Sequence, residues 1–269
     1  DAAEIELLAT ELSEAPSAAV YGRMGTTTAE FGTLASWLVD VLNVVTGNLD
    51  RPGGAMFAKA AAGATNTRGA SGSGRGLRVG RHQTRVRGLG ETMGELPVAC
   101  LAEEIDTPGP GQIRAMVTVA GNPVLSTPNA ERLDSALAGL DAYVAVDIYL
   151  NETTRHADVI LPPPSSLQKG HYDLALLQLA VRNVANSSPP VLPLDPDQPD
   201  EWEILARLAL IAQGLGPDAD PAVVDDLVVG TLVQAAAAAA HSPVHGRDPA
   251  DRLAALGPRR GPERLLDPL

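Results

Sequence analysis

Val119-Ala120-Gly121-Asn122-Pro123-Val124-Leu125-Ser126-Thr127-Pro128 is the stretch whose reading decides the fold. It closes the run Ile113 to Ala120, apolar apart from Arg114 and Thr118, which reads as a buried strand bounded by turn residues. Thr127 is placed to cap a helix with Pro128 at its first position. Leu133, Ala136, Leu137 and Leu140 then fall at i, i+3, i+4 and i+7, so this helix carries a narrow apolar face. Tyr143 to Asp147 is the next strand, and Asp158 to Leu161 the one after. Strand, helix, strand in one sheet implies a right-handed crossover. A bare-backbone loop and a carboxylate therefore meet at the carboxyl-terminal edge of a parallel sheet, where open α/β sheets bind nucleotides.

At that edge Gly121 lets a backbone come close to a ligand, and Asn122 offers both a donor and an acceptor. Asp147, twenty-six positions later, is placed to take two donors from a ribose diol or a guanine edge. A turn glycine and a capping acid explain the same two residues. Glu152, Thr153 and Thr154 add polar groups there, to contact a pyrophosphate or to cap a short helix.

Upstream, Ile5, Leu8 and Leu12 recur at helical spacing, and Pro16 ends that helix. The apolar run Ala18 to Tyr21 reads as a strand, Gly22 to Thr28 as a two-glycine turn, and Phe31, Leu34, Leu38, Val41, Leu42 and Val45 as one face of a long helix stopped by Gly47. The amino terminus of that helix is expected to point back at whatever lies over the strand end. From Arg51-Pro52-Gly53-Gly54 to Leu89 the pattern dissolves into an extended excursion. Ala99 to Ile105 is a short helix, and Pro162 to Pro164 and Pro189 to Pro199 are rigid connectors. His171 to Val184 is ambiguous between strand and helix. Trp202 to Ala212 and Ala222 to Ala240 are helical, and beyond His241 the text is polar, Pro-rich and linker-like.

The chain of 269 residues is long enough to bury a sizeable core, with one large or two ordinary domains. With 20 basic against 33 acidic residues, a formal charge of -13 argues against a polyanion partner, and only 3% aromatic residues argues against single-stranded nucleic acid. Between Arg68 and Arg87, however, lie six arginines and no acid, interleaved with glycines. This segment is either a solvated loop or one that closes guanidinium forks over an anionic centre. A single cysteine, Cys100, excludes a disulfide framework and any cysteine-only iron–sulfur cluster carried by this chain alone, and reads as a small buried hydrophobe. No run of eighteen apolar residues predicts a membrane span. No signal peptide is visible before Glu14, but the text begins inside a helix and does not itself fix the location; the expected location is cytoplasmic. There is no P-loop lysine, G-x-S-x-G elbow, H-E-x-x-H or G-x-G-x-x-G. His82 and His156 are ionisable without an acid partner placed by the sequence, and His241 and His245 are separated by Pro243.

The text from Ala19 to about Ala212 resembles the middle of a molybdopterin oxidoreductase large subunit, of the dimethyl sulfoxide reductase and formate dehydrogenase superfamily. The matching residues are Tyr21-Gly22-Arg23-Met24-Gly25-Thr26, Leu42 through Gly54, Gly121-Asn122-Pro123, Val144 to Tyr149, Glu152-Thr153, Ala157 to Pro162 and Glu201-Trp202-Glu203-Ile204. The resemblance implies a bis(molybdopterin guanine dinucleotide) cofactor carrying molybdenum or tungsten. It implies that Gly121, Asn122, Pro123 and Asp147 hold one guanosine arm with Ser126, Thr127, Glu152 and Thr153 nearby, while Gly25 and Thr26 face the pterin and metal. No catalytic residue and no metal ligand is assigned.

Family members usually carry an amino-terminal cysteine cluster for an iron–sulfur centre, a metal-ligating residue and a carboxyl-terminal cofactor domain, and none is identified in this text. After Leu161-Pro162 this chain has Gln168-Lys169-Gly170-His171-Tyr172-Asp173 where many relatives show an acid and a Gly-Thr-x-Thr-Asn run. The expected architecture is α/β, a three-layer sandwich with a mainly parallel, Rossmann-like sheet over 1–200 and a helical C-terminal tail over 201–269. The chain reads as a piece of a longer enzyme, inactive alone; the resemblance leaves room for an iron–sulfur cluster in the preceding region without deciding its presence. Its expected partners are the enzyme's remaining domains and a redox partner subunit or electron carrier, with no nucleic acid. A non-catalytic nucleotide-binding or assembly module is the rival reading, since a strand-end acid and a glycine loop need only a nucleotide.

Overall fold

The computed structural model describes residues 1–57, 79–92, 94–172, 180, 182, 184, 186–240 and 242–265. The chain folds as two compact units, 1–66 with 174–185, and 67–173 with 186–269. Arg68, Arg75 and Arg78, and most of the ambiguous stretch 171–184, lie outside the described residues.

In the first unit, α1 (Ala2–Glu14) begins at a capping box, in which Asp1 accepts from the Glu4 N–H and the Glu4 side chain from the Asp1 amine. The predicted strand at Ala18 to Tyr21 does not form. Its backbone is satisfied by side-chain amides instead: the Val20 N–H donates to Asn43 Oδ1 and the Val20 carbonyl accepts from Asn43 Nδ2, both at 2.9 Å. The Ala18 N–H donates to Asn48 Oδ1 at 3.2 Å, and both asparagines are buried. An amide that offers one donor and one acceptor side by side copies the partner strand that the local sequence lacks. One turn of helix, α2 (Met24–Thr27), follows, and α3 (Gly32–Val45) ends where Gly47 takes φ +69°. Because α2 intervenes and no strand precedes it, the amino terminus of α3 does not stand behind a strand end as predicted. The apolar stripes are largely uncovered, with Ile5, Leu8, Phe31, Leu34, Leu38 and Leu42 all exposed.

Among the described residues the second unit begins with a hairpin that sequence reading missed, β1 (Val79–Gln83) paired antiparallel with β2 (Gly90–Thr92). It leads through Cys100, which is buried, into α4 (Leu101–Asp106). Next come β3 (Ala115–Val119), the single turn α5 (Pro123–Ser126), α6 (Ala130–Leu137), β4 (Ala142–Val146) and β5 (Val159–Ile160). The three strands form one parallel sheet in the order β3-β4-β5, with Val119 opposite Val146 and Val144 opposite Val159. Met116, on one face, packs on a core of Ala102, Ile105, Val124, Leu133, Ala136 and Leu137 from α4, α5 and α6. Each of the two leucines is worth roughly 1.5–3 kcal/mol when removed from water. On the opposite face Val117, Val119 and Val159 are about half exposed.

Thr127 does not cap α6. Pro123 starts a helix of its own at the position where its missing N–H costs nothing, Thr127 ends that turn, and α6 begins after Asn129 in the left-handed region at φ 64°. Beyond the sheet, β6 (His171–Tyr172) pairs antiparallel with β7 (Ser187–Ser188). Then α7 (Glu201–Ala212) starts at a capping box of Asp200 and Glu203, followed by α8 (Ala222–Ala238). The stretch read as a linker folds: α9 (Pro249–Ala255) is capped by Asp248, and Leu256 joins Val229 and Val233 in a second core. Arg264, buried, donates to Asp225 and Asp226 at 2.6 Å each and ties the following 3-10 turn to α8.

Candidate functional site

The carboxyl-terminal ends of β3 and β4 lie side by side, joined by a 2.9 Å hydrogen bond from the Ala120 N–H to the Val146 carbonyl. Ala120 turns the chain off the sheet with φ 51°, a left-handed conformation that costs an alanine on the order of 1 kcal/mol. Gly121 follows, with an ordinary φ and room to spare: a Cβ there would meet nothing nearer than 3.7 Å. This glycine is not demanded by the chain's own packing. The contrast with Gly32 is sharp, where a Cβ would stand 2.0 Å from the Thr27 carbonyl oxygen.

On the neighbouring strand end, Asp147 is 8% exposed. Its Oδ1 accepts the Tyr149 N–H at 2.9 Å, and Oδ2 has no hydrogen-bond partner among the described residues. The acid thus forms a local turn rather than a helix cap, and one acceptor oxygen remains unspent. That oxygen is not among the buried side-chain atoms left without a partner, so it faces solvent at the sheet edge.

The loop after β3 is clamped by the loop after β4. Asn122 Nδ2 donates to Glu152 Oε2 at 2.8 Å, and Thr153 Oγ1 donates to Asn122 Oδ1 at 2.6 Å while accepting the Val124 N–H at 3.0 Å. The Asn122 amide beside Glu152 holds that carboxyl below its ordinary range. Thr153 and Thr154 are fully buried, and Thr154 Oγ1 donates to the Tyr149 carbonyl at 2.7 Å while accepting the Asn151 N–H. Ser126 and Thr127 donate back into their own turn, to the Asn122 and Pro123 carbonyls. The hydroxyls at this edge are therefore spent on loop geometry, which leaves Asp147 Oδ2, the other Glu152 oxygen and the glycine backbone as the groups open to a ligand.

Of the predicted site residues, Gly121, Asn122, Pro123, Ser126, Thr127, Asp147, Glu152 and Thr153 converge on this edge. Gly25 and Thr26 belong to the first unit, within α2. A Cβ at Gly25 would meet nothing within 4 Å, and Thr26 Oγ1 donates to the Arg23 carbonyl at 2.7 Å.

The described arginines of the basic segment do not form an anion cradle. Arg81 is bound at 2.6 Å by the buried Glu91, whose carboxyl is pulled below its ordinary range by that hydrogen bond and by the Gly94 N–H. Arg85 and Arg87 pair with Glu104 and Glu103 of α4. They staple the hairpin to α4. His156, which sequence left without an acid, lies 2.6 Å from Asp134 beside Arg155. His82 is exposed. A separate apolar hollow of about 280 Å³ is lined by Trp202, Leu205, Val228 and Pro262, and its one acid, Asp225, is already bonded to Gly261 and Arg264.

A parallel sheet that sets an unspent carboxylate beside an unhindered glycine loop defines an α/β protein with polar groups gathered at its strand ends. Residues 3–209 match the family model described as molybdopterin oxidoreductase, and the chain belongs to that family. It is 31% identical over 100 residues to the assimilatory nitrate reductase catalytic subunit of Bacillus subtilis strain 168, covering 37% of this chain and 13% of that protein. It is 31% identical over 99 residues to the F420-dependent formate dehydrogenase 1 subunit alpha of Methanococcus maripaludis, covering 36% and 14%. A longer match, 28% over 212 residues, links it to the "Probable oxidoreductase YjgC" of Bacillus subtilis and covers 75% of this chain and 21% of that protein. These matches span about a fifth or less of each relative's length. No helix among the described residues is long and apolar enough to cross a membrane.

Proposed function

We propose that this chain is the central cofactor-binding portion of a molybdopterin guanine dinucleotide-dependent oxidoreductase, and that the β3–β4 edge holds one guanosine arm. The observation that carries the reading is the nearly buried Asp147 with one free acceptor oxygen, next to a glycine that the fold does not require. Carboxylate acceptors suit the N–H groups of a guanine edge or the hydroxyls of a ribose. Gly121, Asn122 and Pro123 would give the arm a close backbone approach, with Glu152 at the rim and Ser126, Thr127 and Thr153 fixing the loops. Gly25 and Thr26 would face the pterin and metal, and the open space at Gly25 fits a ligand that needs the backbone bare.

When bound, bis(molybdopterin guanine dinucleotide) supplies redox chemistry at molybdenum or tungsten. This chain's residues bind and orient its far end. In the same reading the sheet is the middle of a three-layer, Rossmann-like sandwich, for which the half-exposed Val117, Val119 and Val159 offer a second apolar face to cover. The 1–200 portion is the cofactor domain, and 201–269, with its own core of Val229, Val233 and Leu256, is a helical segment beyond it. The enzyme's remaining domains and a redox partner or electron carrier complete a cytoplasmic enzyme.

Asp147→Asn tests the reading, because it keeps an oxygen for the Tyr149 N–H and replaces the free acceptor with a donor. In the natural polypeptide, made in cells that synthesise the cofactor, retained guanine nucleotide should fall at least about tenfold while the melting temperature is unchanged. Unchanged retention would mean that the acid serves only the turn.

A further inference from the structure

The hydrogen bonds between the two strand-end loops have a polarity that chemistry alone fixes. A carboxylate only accepts, so the Asn122 group turned toward Glu152 must be the Nδ2 donor. Asn122 Oδ1 is then the atom facing Thr153, whose hydroxyl must donate to it and use a lone pair for the Val124 N–H. The chain of donors thus runs from Val124 to Thr153 to Asn122 to Glu152, across loops 30 or so residues apart in sequence. At its buried end stands Thr153, at 0% exposure, and at its rim stands an exposed carboxylate with one oxygen left over.

We propose that Thr153 is a positioning residue, whose hydroxyl selects one orientation of the Asn122 amide and through it holds the Glu152 carboxylate in place at the rim of this edge. The proposal rests on the nucleotide reading of this edge. It assigns Thr153 no contact with the ligand. A carboxylate held at the rim favours a ligand edge that carries donors over one that carries acceptors. Without the Thr153 hydroxyl the Asn122 amide is free to turn, and Glu152 loses the donor that holds it.

The test uses the natural polypeptide isolated from cells that make the cofactor, with guanine nucleotide measured after acid release and molybdenum by mass spectrometry. Thr153→Val, which keeps shape and removes the hydroxyl, should lower retention about tenfold, and Thr153→Ser should restore it to within about twofold. Glu152→Gln should lower it similarly, because its amide nitrogen then faces the ligand. The Thr153→Val, Glu152→Gln double variant should be no worse than either alone, since both interrupt one relay; multiplied losses would overturn the proposal.

A second arm does not depend on Thr153→Val folding. Asn122→Asp alone should lose retention, because two carboxylates then face one another. Adding Glu152→Gln reverses the polarity of that pair and turns the new amide oxygen outward, so retention should recover to within about threefold; no recovery would also overturn the proposal. If Asp147→Asn retains the nucleotide as well, the nucleotide reading itself has failed. If Asp147→Asn loses it while Thr153→Val keeps it, only the positioning role falls.

Discussion

Replacing Gly121 by alanine separates a glycine kept for a ligand from one kept for the fold. A Cβ at 121 would lie 3.7 Å from the Val119 carbonyl oxygen and 3.9 Å from Pro123 Cδ, ordinary contacts in a backbone conformation open to any residue. Removing unfolded-state freedom should then stabilise the ligand-free chain by about 0.4–1 kcal/mol, since glycine-to-alanine changes at compatible sites do so. For a unit of this size that raises the melting temperature by roughly 1–4 °C. The same change at Gly32 or Gly54 puts a Cβ 2.0 or 2.1 Å from a backbone oxygen. Backbone must move there, and the cost should be about 3 kcal/mol or more, at or above the upper range of ordinary overpacking. Chemical denaturation of the five proteins, wild type and Gly121→Val included, gives the stabilities, and acid release of bound nucleotide gives retention. Gly121→Ala should be at least as stable as wild type yet retain several-fold less nucleotide, and Gly121→Val less still. A loss of more than about 1 kcal/mol in Gly121→Ala, or full retention in Gly121→Val, would refute the reasoning.

The remaining expectations concern stability. The carboxyls of Glu91 and Asp134 are held below their ordinary values of 4.5 and 3.8, Glu91 chiefly by Arg81 and Asp134 by His156 and then Arg155. A depressed folded value stabilises the fold above the ordinary one, and that stabilisation is lost as pH falls through the depressed value. Denaturation curves should therefore be flat above about pH 5 and fall steadily below pH 4, and Glu91→Gln should make the acid side shallower; an unchanged slope would count against the Arg81–Glu91 assignment. Arg264→Ala strands the buried Asp225 and should cost about 3 kcal/mol, whereas replacing both by apolar residues of similar volume should recover most of it. A loss below about 1 kcal/mol in the single variant would show that water reaches Asp225.

The strand, loop, helix and strand from Ile113 to Asp147 were legible because each apolar run is bounded by turn residues and the acid falls directly after the last position of its strand. Leu133, Ala136 and Leu137 are buried as their spacing requires. What escaped the sequence was settled by partners far along the chain. Ala18 to Tyr21 looks like any short strand, and nothing local says that Asn43 and Asn48 replace the neighbouring strand. Arg81, Arg85 and Arg87 read as free guanidinium groups because Glu91, Glu104 and Glu103 lie 10, 19 and 16 residues on. Two misses were local and avoidable: Asp248-Pro249 is a plain helix start, and Asn122-Pro123 places a proline at a first helical position five residues before Pro128. At the β3–β4 edge, the sequence could not show that the hydroxyls of Ser126, Thr127, Thr153 and Thr154 are spent within the protein while Asp147 Oδ2 has no partner among the described residues.

The interlocking of the two strand-end loops also sets a schedule. Asn122 and Thr153 are 31 residues apart, and the register that brings them together requires β4 to have paired with β3. At synthesis rates of about 5–20 residues per second, the first loop leaves the ribosome roughly 2–6 s before its partner exists. Parallel pairing across a crossover is among the slower steps of folding, because loop closure must precede the contacts that reward it. The interlocked edge is thus absent from a nascent chain and complete only in a folded one, so under the proposed function nucleotide binding here follows translation, and a chaperone that held the sheet open would hold the edge unformed.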